Sequence, residues 1–153
     1  MSQNETPIAS TRASCHCTNL RKASRLLSQY YDRQLAGSGL KTTQRAILAQ
    51  LRRAGTLSVS HLAEALIMDR GGLAHTLKPL QRDGLISVNV DPLDGRSRLV
   101  SLTPAGIEKL TESDSYWFHA QQQFEQRLGA AEAEALQILL SRLVTSEFSQ
   151  GEM

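Results

Sequence analysis

Apolar residues recur along this chain at helical spacing, give way to a short alternating stretch, and then return to helical spacing. Over residues 15–35, Leu20, Ala23, Leu27, Tyr30 and Tyr31 fall near one helical face, and Ala36-Gly37-Ser38-Gly39 stops the run. A second helix is expected over 43–54, with Ile47, Leu48 and Leu51 on one side and Gly55 at its end. A third, over 59–66, has Ser58 as its cap and turns Leu62, Ala63 and Leu66 inward. A fourth, over 70–82, is capped by Asp69 and closed by Asp83-Gly84. Its Leu73, Leu77 and Leu80 lie at i, i+4 and i+7 and pack inward. The opposite face then offers Arg70, Gly71, Ala74, His75 and Lys78, with Thr76 at the margin. Pro79 should kink this helix, because it removes one backbone bond and crowds the preceding turn.

The pattern changes at Leu85. Residues 85–90 and 97–102 are short, rich in β-formers and partly alternating, and the polar stretch 91–96 between them predicts a β-hairpin with a protruding loop. Thr103-Pro104 then opens a long helix, since threonine caps well and proline is tolerated at the first helical position. Ile107, Leu110, Trp117, Phe118 and Phe124 carry it to Leu128. Gly129 breaks it, and a last helix is expected over 131–148 through Leu136, Leu139, Leu140 and Leu143. The fold class is therefore mainly α with a small β-hairpin wing. Two short helices and a tight turn followed by a hairpin make a winged helix-turn-helix, whose second helix enters a major groove.

Composition narrows the field. The chain has 153 residues, 41% hydrophobic and 21% charged, which suits one soluble domain or a compact two-lobed one. No apolar run reaches the roughly 18–20 residues that a membrane helix needs. Residues 1–14 are polar and lack the apolar stretch of a secretory signal, so they read as a frayed arm and the expected compartment is a reducing cytoplasm. The sequon at Asn4 then has no role, and two cysteines make no disulfide scaffold.

Charge adds an asymmetry that the net of +2 hides. Residues 1–40 carry five Lys/Arg against two acids, residues 41–110 ten against six, and residues 111–153 two against seven. A basic front joined to an acidic end segment suggests one part that meets a polyanion and one that faces something else. Thirteen arginines against four lysines suit phosphate and guanine contacts better than mere solubility.

The candidate chemistry sits on the fourth helix and the hairpin. The N-terminal turn of that helix, with its unpaired N–H groups, is a natural phosphate or base-edge site. Arg96 and Arg98 extend the basic surface, and an arginine at a loop tip fits a minor groove. Asp94 would repel phosphate if left free, so it reads as the partner that orients an arginine, either Arg96 or one from the fourth helix. Arg45, Arg52 and Arg53 lie outside this constellation and are weaker phosphate candidates. For all these residues the plain alternative is a solvated charged face.

These residues carry a resemblance. The run from Leu85 to Gly106, with Asp94-Gly95-Arg96-Ser97 and Leu102-Thr103-Pro104-Ala105-Gly106, resembles the wing signature of the MarR family of bacterial transcriptional regulators. Asp69-Arg70 and the stretch Leu77-Lys78-Pro79-Leu80-Gln81-Arg82-Asp83-Gly84-Leu85 are similar to its recognition-helix segment, and the likeness runs from about Leu20 to the C-terminus. The resemblance implies a homodimeric regulator of double-stranded DNA, a repressor by expectation, with each winged helix reading half of a pseudo-palindrome. It implies a dimerisation lobe from 15–40 and 104–150, a DNA-binding lobe over 41–103, and release by a small effector or by thiol oxidation. Two positions depart from the family pattern. Gly71 and Gly72 stand where small hydroxyl residues are usual, and Gly95 stands where a basic residue is common. The implied DNA-contact set is Arg70, Gly71, Gly72, His75, Thr76, Lys78, Asp94, Arg96 and Arg98, with no cofactor and no metal.

Cys15 and Cys17 raise a second reading, a thiol-based redox sensor. Both stand near a helix start, where Arg12 and His16 would favour a thiolate, and peroxide-sensing members of the family set such a cysteine against tyrosines. Tyr30 or Tyr31 would serve as one; no second is found near Thr42-Thr43. The alternative is one buried thiol and one incidental one. Three consecutive residues, Cys15-His16-Cys17, rarely converge on a metal ion. Trp117, His119 and Phe124 are candidates for a ligand pocket, with dimer core as the plainer alternative. Two further classes remain in play: a winged-helix protein-interaction module, and a cysteine enzyme, for which only His16 stands near a thiol.

Overall fold

The computed structural model describes residues 15–145. The arm expected over 1–14, including Arg12, and the part of the last helix expected beyond residue 145 lie outside the described residues. Nine elements follow in order: α1 (His16–Leu35), α2 (Thr42–Ala54), β1 (Leu57–Ser58), α3 (Val59–Leu66), α4 (Arg70–Arg82), β2 (Ile86–Asp91), β3 (Asp94–Leu102), α5 (Pro104–Leu128) and α6 (Ala130–Thr145). A single 3-10 turn, Ala36–Ser38, joins α1 to the loop before α2.

The helix starts are those the capping residues dictate. Ser58 Oγ accepts from the His61 amide at 3.1 Å, Asp69 Oδ1 from the Gly72 amide at 2.7 Å, and Thr103 Oγ1 from the Gly106 amide at 3.0 Å. α4 continues through Pro79 to Arg82. α3 ends on Ile67 at φ 50°, the one non-glycine residue with positive φ among the described residues, so the turn into α4 holds a β-branched side chain in the left-handed region.

One core lies beneath these elements. Ile47, Leu48 and Leu51 of α2 meet Leu62 and Ala63 of α3, Leu73, Leu77 and Leu80 of α4, Leu85 just before β2, Ile86 and Val100 of the sheet, and Leu110 of α5. The sheet is antiparallel in the order β1-β3-β2, with Val88 opposite Val100 and Leu57 on its other side. β1 has only two residues and exists through pairing with Leu99 and Val100, more than forty residues away, so no local pattern announces it.

The start of α5 is welded to this core at backbone level. Gly106 lies so close to the Leu85 carbonyl oxygen that a Cβ there would collide with it, and the Thr103 hydroxyl donates to the Gly84 carbonyl at 2.6 Å. Further along, α5 runs beside α1, where the Tyr30 hydroxyl donates to the Ala120 carbonyl at 3.4 Å and the Tyr31 hydroxyl donates to Gln121 Oε1. Not every apolar position of α5 turns inward. Ile107 and Phe118 are exposed, because the helix offers the core only the stripe of Gly106, Leu110 and Ser113. No helix among the described residues is long and apolar enough to cross a membrane.

Candidate nucleic-acid interface

α4 packs Leu73, Leu77 and Leu80 against the core and leaves Arg70, Ala74, His75 and Lys78 exposed on the outer side, as its period requires. Thr76 is half-buried and donates back to the Gly72 carbonyl at 3.0 Å, so its hydroxyl is engaged within the helix. Arg70 reaches Ser60 Oγ of α3 at 2.5 Å, which ties the first residue of α4 to the preceding helix. Ser60 was not legible as part of the interface, since nothing in its local pattern points across the turn.

The first turn of α4 is less open than the sequence suggests. The Asp69 carboxylate takes the Gly72 amide, and Cβ atoms at Gly71 and Gly72 would stand 3.3 and 3.2 Å from its oxygens. Bare glycines therefore let the capping carboxylate lie close over the helix end. A phosphate would have to displace or avoid that negative charge.

The wing also corrects an expectation. The strands run to Asp91 and from Asp94, so the connection is a two-residue turn, Pro92-Leu93, rather than a six-residue loop. The Asp91 carboxylate accepts the Leu93 amide at 2.9 Å and closes the turn locally, leaving Leu93 95% exposed at the tip. Arg96 stands not at the tip but inside β3. Asp94 does not orient a guanidinium: its Oδ1 accepts the backbone N–H of Arg96 at 3.0 Å. A short carboxylate two residues upstream reaches an amide more readily than a long side chain. Arg96 and Arg98, two apart on one strand, share a face, and both are exposed. Arg98 folds back onto the carbonyls of Gly95 and Ser97 at 3.2 and 3.3 Å, which stiffens it beside Arg96. The basic surface thus comprises Arg70, His75 and Lys78 on α4 and Arg96 and Arg98 on β3.

Arg45 and Arg52 belong elsewhere. Arg45 is 8% exposed and turned toward α5, where Nη2 lies 2.6 Å from Asp114 Oδ1 and Nε donates to Ser113 Oγ at 3.1 Å. Arg52 grips both oxygens of the same carboxylate, at 3.0 and 3.3 Å. Hydrogen bonds from Arg52 and Arg45 hold the Asp114 carboxyl below its ordinary pKa, and burial lowers that of Arg45. Arg53 donates to Gln50 on its own helix. These arginines, with Ala49, Trp117 and Phe118, line a cleft of about 750 Å³ between α2 and α5. Of the three aromatic-pocket candidates only Trp117 enters it; His119 is exposed and Phe124 lies further along α5.

Cys15 and Cys17 are both exposed and free. No hydrogen bond from the Cys15 side chain caps α1, yet the amide and hydroxyl of Thr18 and the Cys17 amide favour a thiolate there and lower the pKa of Cys15. The tyrosine pairing fails within one chain. Tyr30 and Tyr31 lie fifteen and sixteen residues beyond Cys15, about 22–24 Å away at the helical rise, and both bond to α5. Among the described residues no group of three histidine, cysteine or acidic side chains converges as a metal site would require.

Comparison with known proteins gives this architecture a lineage. The sequence profile of the MarR family matches residues 38–97, from the end of the 3-10 turn to the wing. The chain is 36% identical over 90 residues to the transcriptional activatory protein BadR of Rhodopseudomonas palustris, which covers 57% of this chain but only about half, 51%, of that protein. It is 31% identical over 127 residues to the multiple antibiotic resistance protein MarR of Salmonella typhimurium, covering 81% of this chain and 84% of the relative. The structure of the transcriptional regulator MosR of M. tuberculosis in complex with DNA is similar over 86% of this chain and 94% of that one, at 30% identity and a TM-score of 0.77. BadR and MosR are by name regulators of transcription, not enzymes. With a relative and a solved structure alike over most of its length, and the family profile in agreement over 38–97, the chain belongs to the MarR family.

Proposed function

We propose that this protein is a homodimeric, sequence-specific DNA-binding regulator of transcription, acting as a repressor on a pseudo-palindromic operator and released by a small effector. The observation that carries the reading is the joint exposure of Arg70, His75 and Lys78 on α4 and of Arg96 and Arg98 on β3, on a scaffold similar to one solved with DNA. α4 reads a major groove and the wing follows the backbone into the adjacent minor groove, with half-sites about one helical turn, roughly 34 Å, apart. Gly71 and Gly72 bring bare backbone to the same surface. Asp94 serves it indirectly by fixing the Arg96 amide, and Thr76 by its place on the margin of α4.

The dimer reading rests on α1 and α6. Leu20 and Ala23 of α1 face Leu136, Leu139, Leu140 and Leu143 of α6 across an apolar groove of about 760 Å³, and much of this face stays open in a single chain. We assign 15–40 and the helices from 104 onward to the dimer lobe, and 41–103 to the reading head. Within that assignment the first turns of α5 pack against the reading head, since Leu110 lies in its core. The effector's place is the cleft between α2 and α5, where three arginines outnumber one aspartate beside Trp117, which suits a small organic acid.

Fluorescence anisotropy against duplex from the region upstream of the protein's own gene, run across a salt series, tests the reading. Tight, sequence-selective binding with a steep salt slope is expected. Arg96→Ala should weaken binding on all sequences and reduce the slope by about one. A flat salt response would favour a protein-interaction module instead. Thiol sensing is a second reading, favoured by the exposure of Cys15 and the amides that stabilise its thiolate. Its signature is loss of binding after mild peroxide, restored by reductant and absent in Cys15→Ser.

A further inference from the structure

We infer that Asp114 is a positioning residue for DNA recognition: by binding Arg45 and Arg52 of α2 together, it holds the winged unit at one angle to the helix that leads into the dimer lobe. The inference rests on the dimeric DNA-binding reading above and concerns what sets the distance between two reading heads.

The arrangement is a built one. Arg45 and Arg52 are seven residues apart, two turns of α2, and so point to the same side. Opposite them, one turn of α5 supplies a carboxylate at Asp114, a hydroxyl at Ser113 and an aromatic face at Trp117. The Arg45 guanidinium carbon lies 4.6 Å from the Trp117 ring centroid. Ser113 is fully buried, and its hydroxyl, while accepting from Arg45, donates to the Leu110 carbonyl at 2.6 Å. Both Asp114 oxygens are used, one shared by two arginines. Apolar faces tolerate sliding, whereas charge-assisted bonds between a planar guanidinium and a carboxylate are directional.

Its position gives it leverage. Before it, Gly106 and Leu110 are fixed in the winged core; after it, the next buried residue of α5 is Ala120, beside Tyr30 of α1. The clamp therefore stands where α5 leaves one unit and joins the other. From Asp114 to Leu128 the helix runs about 21 Å, so a tilt of about 5° moves its far end by about 2 Å. That is more than half of the roughly 3.4 Å rise of one base pair. A loose joint would let the two heads accept several half-site spacings, and a clamped one selects among them.

The test uses a palindromic duplex that the wild-type protein selects from a randomised pool, remade with its half-sites one base pair closer and one farther apart. The wild type should lose at least tenfold in affinity on either altered spacing. Asp114→Asn, which keeps the shape but loses the charge, should lose threefold or less, while its binding to an isolated half-site is unchanged. Asp114→Glu should restore part of the selectivity. Should Asp114→Asn fail to fold by circular dichroism, Arg52→Gln, which leaves the Arg45–Asp114 pair in place, should give an intermediate spacing profile. Folded variants that bind more weakly by one factor at every spacing, with the wild-type profile intact, would overturn the inference and leave Asp114 a purely structural residue. Failure of the wild type to select any duplex at low salt would overturn the DNA reading itself, an outcome distinct from an unchanged profile.

Discussion

Thirteen buried apolar side chains between Leu40 and Leu110 close over one another, whereas α1 and α6 together bury only Leu35 and Ala133. The winged unit has a core drawn from four helices and a sheet; the end helices have Leu20, Leu26, Ile138, Leu139, Leu143 and Val144 in solvent. α1 carries helical periodicity about as strong as that of α2, α3 and α4, so periodicity alone does not say what an apolar face meets. In the winged unit the facing elements are supplied by the same chain. At the ends the apolar face stays open in a single chain, and a second copy of the same chain is the covering proposed above.

Substitutions that act on one region and spare the other would sharpen this contrast. The largest effect is expected from Leu48→Ala, which opens a cavity beneath α2 and should cost about 3 kcal/mol in urea denaturation. If the loss stayed under about 1 kcal/mol, the winged core would not be the stable half. Gly106→Ala should follow at about 2 kcal/mol, because the added methyl meets the Leu85 carbonyl and α5 must lift from the sheet.

Acid should weaken the joint between the regions. The Asp114 carboxyl titrates lower in the folded chain than in the unfolded one, so its stabilisation is present above the unfolded value, near 4, and is lost as pH falls through the folded one. Its side chain is 40% exposed, so the contribution is discounted to about 0.5–1 kcal/mol. Denaturation of wild type and Asp114→Asn should converge at low pH and separate by that amount at neutrality. Parallel curves would remove the ion pair from the account. The smallest change in intrinsic stability, within about 0.5 kcal/mol, is expected for Leu139→Glu on the open face of α6. That variant should nonetheless shift the sedimentation mass from two chains to one. A wild type that sediments as a single chain would end the dimer reading.

Most of the fold could be read from spacing and caps. α3, α4 and α5 begin where Ser58, Asp69 and Thr103 place them, and α4 and α5 end at Gly84 and Gly129, because capping is a local interaction between neighbours in sequence. What escaped was only partly non-local. β1 is two residues held by Leu99 and Val100, and the wing turn is tighter than its polar composition suggests because Asp91 and Asp94 each bond to a nearby amide. The basic surface was legible in part: Arg70, His75 and Lys78 follow from the period of α4 and Arg98 from that of β3, whereas Arg96 is expected at a loop tip and lies inside β3. The junction was not. Arg45 and Arg52 look like any charged helix positions, and Asp114 sits in an acidic stretch more than sixty residues away. Only the fold brings them within reach.

The close approach of Gly106 to Leu85 has a practical consequence for anyone cutting or splicing this gene. The natural-looking border at Thr103-Pro104 would strip the sheet of the helix turn that seals it and remove Leu110 from the core. The shortest fragment able to stand alone should extend past Ser113, into the middle of α5. A chimera that exchanges reading heads would then have to join two half-helices in phase. At about 100° of rotation per residue, one codon too many at the splice would swing the donor unit out of line with the helix that carries it.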